Sequence, residues 1–169
     1  MVSGFVPFLQ KTASAGLALL LALGTLTESV FADEAKPAKE LFGGMTLPTR
    51  GKASPYGFYA KGCMAGGVAI PTDGPTWQAM RLSRNRRWGN PAMIALIERL
   101  SRDAAKYDGW PGLLIGDISQ PRGGPMKSGH ASHQIGLDAD IWLNPMPSRT
   151  LTAREREDVS AKSMLKKNT

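Results

Sequence analysis

The clearest helical period in the chain begins at Asn90-Pro91 and constrains the fold more than any other feature. Asparagine is a good N-cap, and proline suits the first helical position. Met93, Ile94, Ile97, Leu100 and Ala104 then recur at helical spacing, and Asp108-Gly109 marks the stop. Around this helix the apolar runs are short. Ser54 to Pro75 is rich in Gly and Pro and reads as loops around a short strand at 67–70. Trp77 to Leu82 fits another strand or a short turn, and Leu113-Leu114-Ile115 fits a buried strand ending at Gly116-Asp117. From Leu137 to Leu143 apolar and polar residues alternate. This places Leu137, Ala139, Ile141 and Leu143 on one face, expected to pack against the Asn90 helix or its neighbours. Asp138, Asp140 and Trp142 fall on the other face. Thr152 and Glu155 match a capping box, which opens a helix near Ala153 that runs on toward Lys166–Thr169. The expected class is α+β: a small antiparallel sheet with flanking helices and long loops.

A length of 169 residues allows one ordinary domain. With 42% hydrophobic and 21% charged residues, the chain is not collagen-like, coiled-coil or wholly disordered. Residues 1–32 read as a secretory signal peptide, with Lys11 ahead of an apolar stretch from Ala15 to Leu23 and Val30-Phe31-Ala32 as the cleavage site. The apolar core falls short of the ~20 residues that span a bilayer, so no stable membrane insertion is expected after cleavage. Residues 33–52, rich in Ala, Lys, Pro and Gly, read as a flexible lead-in, and residues 53–169 as the domain. Lys11 and Glu28 cancel, so the net charge of +7 stays with the mature part. A basic exported protein favours polyanions such as cell-wall polymer or lipid headgroups, and export argues against nucleic acid. Arg81, Arg84, Arg86 and Arg87 beside Trp88 read as a solvated basic face or as a contact for anionic polymer. The Gly-rich run Pro121 to Gly129 lacks the ending of a phosphate loop. Cys63 stands alone, which excludes an internal disulfide framework and a Cys-based zinc cluster.

The chemistry concentrates between Ser128 and Leu143, which holds both histidines of the chain, His130 and His133, with Asp138 and Asp140 just beyond them. Imidazole nitrogen and carboxylate oxygen suit zinc, and three protein ligands plus water make a catalytic site. His130, His133 and Asp140 can supply those three. Asp138 shares a face with Asp140 and can orient a ligand histidine through its other ring nitrogen. Gly129 and Gly136 let the backbone turn sharply. Spacing alone leaves a metal site and a polar surface loop both open.

Over Leu114 to Asp117 and Ser128 to Ile141 the sequence closely resembles the penicillin-insensitive murein endopeptidases, whose wider group includes lysostaphin-type and D-Ala-D-Ala metallopeptidases. The resemblance covers roughly residues 55–165. The wider group shares a His-x6-Asp metal motif, here His133 to Asp140, and His130 matches a further metal-site histidine. The resemblance implies Zn2+, a periplasmic location, peptidoglycan as partner and cleavage of D-alanyl–diaminopimelate cross-links. It also implies a downstream His-x-His motif and a downstream partner for Cys63. With neither present, the chain reads as the N-terminal portion of the family domain, broken near Met164-Leu165. A catalytic proton-transfer residue is then unassigned, with Asp138 or Asp117 as substitutes. The alternatives are a non-catalytic remnant that binds peptidoglycan or metal, and a basic nucleic-acid-binding protein whose apparent signal peptide is a buried helix.

Overall fold

A computed structural model describes Met1 and residues 35–163. The chain divides into units at residues 1–35 and 36–169, and among the described residues all regular secondary structure belongs to the second. The signal peptide expected at 1–32 falls, apart from Met1, outside the described residues, as does the end at Lys166–Thr169 expected for the last helix. Among those described, no helix is long and apolar enough to cross a membrane.

In chain order the elements are α1 (Ala38–Gly43), β1 (Ser54–Phe58), β2 (Lys61–Ala65), β3 (Val68–Ala69), β4 (Asp73–Gly74), β5 (Trp77–Ala79), a 3-10 turn (Leu82–Arg84), β6 (Trp88–Gly89), α2 (Pro91–Tyr107), β7 (Leu113–Ile115), β8 (Ile141–Trp142) and α3 (Ala153–Asp158). Strands β1 and β2 form an antiparallel hairpin, and β3 pairs antiparallel with β6. The central sheet has the order β4-β5-β7-β8. Its outer pairs are antiparallel, but β5 and β7 run parallel, which makes this α+β sheet mixed where an antiparallel one was expected. Parallel neighbours need a long crossover, and α2 lies within the one that joins them.

Strand β7 is buried on both faces because its side chains alternate between two clusters. Leu113 and Ile115 join Ile70, Trp77, Ile118 and the α2 residues Ile94, Ile97 and Ala104. Leu114 joins Met80, Trp142, Met146 and Leu151 on the other side. The strand expected at 137–143 meets this double cover only near its centre. Ala139 and Ile141 pack toward the α2 cluster and Trp142 falls on the other side, in the second cluster, as the alternation predicted. Leu137 and Leu143 stay exposed, and only Ile141–Trp142 is strand.

Helix α2 follows its sequence signals closely. The Asn90 side chain accepts a hydrogen bond from the Ala92 N–H at 3.0 Å, and Pro91 opens the helix. Leu100 is exposed, and Ser101 takes the buried position, its hydroxyl donating to the Ile97 carbonyl at 2.6 Å. Replacing Asn90 by Ala removes the cap and is expected to cost about 1 kcal/mol, read as a lower urea midpoint at unchanged slope.

Three segments differ from expectation for reasons of packing. Residues 36–52 form α1 and then hydrogen-bond to the domain: the Gly66 N–H donates to Thr49 Oγ1 at 2.8 Å, and Arg122 Nε to the Leu47 carbonyl at 3.3 Å. Phe42 packs where a side chain at Gly124 would stand, which sets α1 against the Gly-rich run. Helix α3 has both halves of its capping box but ends at Asp158. Its Arg156 is buried, donating to the carbonyls of Thr72, Ala79 and Leu151 and pairing with Asp73. The arginine run 81–87 is not simply a solvated face. Arg86 is buried against Asp117 at 3.0 Å, and Arg87 donates to the Ile70 carbonyl.

Candidate metal centre

Two backbone ladders carry the chemistry to one end of the central sheet. The Asp140 N–H donates to the Asp117 carbonyl at 2.9 Å, and the Gly116 N–H to the Asp140 carbonyl at 2.8 Å. These bonds extend the β7–β8 pairing and set Asp140 beside the end of β7. Gly116 allows this approach, because a Cβ there would lie 3.0 Å from both Asp140 Cβ and Trp142 Nε1.

The histidine loop is pinned at several points. His133 has φ +66°, a left-handed conformation uncommon for a residue with a side chain and often found at functional sites. Its carbonyl accepts from the Ser119 hydroxyl, and its N–H donates to Asp138 Oδ2 at 3.2 Å. Gln134 fastens the loop to the β1–β2 turn. Its N–H donates to the Tyr59 carbonyl at 3.0 Å, its amide nitrogen to the Ala60 carbonyl at 2.9 Å, and its amide oxygen accepts from the Gly62 N–H at 3.1 Å. The Asn90 N–H, at the start of α2, donates to the Gly136 carbonyl at 2.9 Å.

This backbone brings His130, His133 and Asp140 together, with one donor atom from each lying within 4.8 Å of the others. His133 Nε2 is 3.4 Å from Asp140 Oδ1, and His130 Nδ1 is 3.5 Å from Asp140 Oδ2. The two imidazoles meet edge to face with centroids 4.9 Å apart. Asp138 Oδ2 lies 2.8 Å from His133 Nδ1, the nitrogen that turns away from Asp140. Despite this closeness, neither ring nitrogen of His133 has the direction of a hydrogen bond, and both are buried. Buried polar atoms are nearly always engaged, and an orphaned imidazole nitrogen facing a carboxylate and a second imidazole is what a divalent cation satisfies. The donor set is mixed nitrogen and oxygen, which suits zinc. The residues therefore fit such an ion.

Asp117 sits behind His130, with Oδ2 at 3.9 Å from Nε2. It is buried and ion-paired at 3.0 Å with both Arg84 and Arg86. Arg86 also donates to the Ser128 carbonyl at 2.8 Å, which ties the start of the histidine loop to the same anion. Sequence reasoning missed this support because an arginine run carries no local sign of facing inward.

Burial opposes a charge on His133, but the facing Asp140 and the nearby charges of Asp138, Asp140 and Asp117 outweigh it and hold the imidazole pKa above 6.5. The approach of His133 lowers the Asp140 pKa below 3.8 against the opposing effect of burial, helped by the charges of His133, His130 and Arg84. A raised histidine stabilises the fold below its unfolded pKa and loses that contribution as pH rises through the folded value. A lowered aspartate contributes above its unfolded pKa and loses it as pH falls. In the metal-free chain this pair should therefore stabilise the fold most between pH 3.8 and 6.5, with part of the gain lost above 6.5. Urea denaturation in chelator, comparing the wild type with Asp140→Asn across pH, checks this.

The chain is similar to known proteins along most of its length. A family model described as penicillin-insensitive murein endopeptidase matches residues 55–169. The penicillin-insensitive murein endopeptidase of Haemophilus influenzae is 54% identical over 93 residues, 55% of this chain and 32% of that protein. That of Escherichia coli O1:K1 / APEC is 36% identical over 146 residues, 86% of this chain and 49% of that protein. The chain thus spans at most about half the length of these curated relatives. The match runs through the end of β7, the histidine loop and Asp140 alike, and the chain belongs to the penicillin-insensitive murein endopeptidase family.

Proposed function

We propose that the chain is a zinc-dependent endopeptidase of the periplasm that cleaves D-alanyl–diaminopimelate cross-links in peptidoglycan. The observation that carries this reading is the convergence of His130, His133 and Asp140 in a chain of this family. The relatives are named for acting on murein, the polymer whose peptide bridges supply such bonds. The three side chains would hold the ion, which when bound lowers the pKa of a water to ~7 and polarises a carbonyl. The nearby Asp138 carboxylate, 2.8 Å from His133 Nδ1, favours a proton on that nitrogen through its charge and leaves Nε2 as the donor on the Asp140 side. We therefore read Asp138 as a positioning residue rather than as the acid or base. Asp117 has its carboxylate engaged by two arginines and instead backs His130.

A second reading is a non-catalytic module that binds metal and peptidoglycan. Its support is that His130 and His133 both belong to the donor set, which leaves neither of them free for proton transfer. A muropeptide digest separates the two. The endopeptidase converts cross-linked dimers to monomers in a chelator-sensitive manner, whereas the binding module takes up zinc and leaves dimers intact.

A further inference from the structure

A cavity of about 240 Å³ opens beside the three donors, lined by Arg81, Arg84, Asp117, His130, Asp140 and Trp142 among others. The donor set uses His130 and Asp140 and gives the two arginines no task at a substrate. Arg81 has φ +53°, a strained conformation for a residue with a side chain. Its N–H donates to the Arg156 carbonyl at 3.0 Å, and its guanidinium lies 5.3 Å from the centre of the Trp142 ring. Arg84 extends from the 3-10 turn, with one N–H on Asp117 and its side chain 40% exposed. A guanidinium carries five N–H donors in a planar fork that matches a carboxylate. The contact with Asp117 takes one N–H of Arg84, and a 3.5 Å approach to the Val159 carbonyl takes one of Arg81.

The surrounding charges leave room for an anion. Asp117 is matched from behind by buried Arg86. Glu157 accepts from the N–H and hydroxyl of Ser83 and does not line the cavity, although the charges of Arg81 and Arg84 also reach it, and Asp140 belongs to the donor set. In a D-alanyl–diaminopimelate cross-link, the carbon that bears the scissile nitrogen also bears a free carboxylate. A lysine-type cross-link has hydrogen in that place. A carboxylate so close to the scissile bond falls within reach of a cavity that shares His130 and Asp140 with the donor set.

We propose that Arg81 and Arg84 form a carboxylate subsite that selects diaminopimelate-type over lysine-type cross-links. This rests on the endopeptidase reading for the identity of the ligand but concerns recognition, so its test is binding. The probes are two ligands in which a ketomethylene group replaces the scissile amide, one with the free carboxylate and one with that carboxylate as its amide. Calorimetry on the full chain, with zinc present, should give a Kd about 10- to 100-fold lower for the free carboxylate, the range of charge-assisted hydrogen bonds. Arg81→Gln with Arg84→Gln should bring the two affinities to within about 2-fold. Should that double variant fail to fold, judged by circular dichroism, the comparison on the unaltered chain still decides the matter, and Arg84→Gln alone should narrow the gap. Equal affinity for the two ligands, or binding of neither, overturns the subsite. Discrimination without any cleavage of the natural amide overturns the endopeptidase reading and leaves the subsite standing.

Discussion

His133→Ala is expected to abolish conversion of muropeptide dimers to monomers and to weaken zinc binding by more than the ~10–100-fold typical of losing an outer-shell partner. His133 is the one donor that is almost fully buried, and both of its ring nitrogens face carboxylates. Its loss leaves His130 and Asp140, each more than a third exposed, as the remaining pair. The substitution also changes the backbone, since alanine at φ +66° carries a left-handed strain of roughly 1–2 kcal/mol. His133→Asn separates the two effects, because asparagine tolerates that conformation. Equal loss of zinc in both variants, with near-native urea midpoints for His133→Asn, identifies the imidazole as the cause. Zinc affinity in His133→Ala equal to that of the wild type would remove His133 from the donor set.

Asp117→Ala should be the most destabilising single change near the site, by about 3–5 kcal/mol. The Asp117 side chain is 2% exposed and faces Arg86, which is 8% exposed. Removing the carboxylate leaves a guanidinium buried and unpaired, with its other contact on the Ser128 carbonyl. The histidine loop should loosen with it, so zinc binding weakens as a consequence of stability. The Lys127–Glu40 pair is a control: at 3.2 Å it is nearly as close, but both partners are about half exposed. Glu40→Ala should cost less than about 1 kcal/mol. Chemical denaturation of both variants checks the contrast.

The parts of the fold visible in the sequence are those that local patterns determine. The Asn90-Pro91 cap and the period after it announced α2, and Thr152 with Glu155 announced the start of α3. Leu113–Ile115 read as buried because an apolar run of three has no wet face to offer. The alternation at 137–143 sorted Ala139 and Ile141 from Trp142 but could not show what covers the second face or how short the strand is. Here both faces are covered, and Trp142 fills the second cluster. Arg156 and Arg86 were illegible for a related reason. Each is held by groups far away in the sequence, such as Thr72 and Ala79 for Arg156 and Asp117 for Arg86. A local window shows only a cation. At the site, the His133–Asp140 spacing was readable, whereas the left-handed turn at His133 and the fastening by Gln134 depend on the β1–β2 hairpin.

The function proposed for this chain depends on two imidazoles and one carboxylate sharing a single divalent ion. Zinc K-edge X-ray absorption on the full chain loaded with one equivalent of zinc reads that shell directly. The expected spectrum shows a four-coordinate nitrogen/oxygen shell at ~2.0–2.2 Å, two imidazoles in its outer scattering, no sulfur from Cys63, and one imidazole after His133→Asn. Zinc that stays in solution at one equivalent, or a bound ion with fewer than two imidazoles, would refute the shared site.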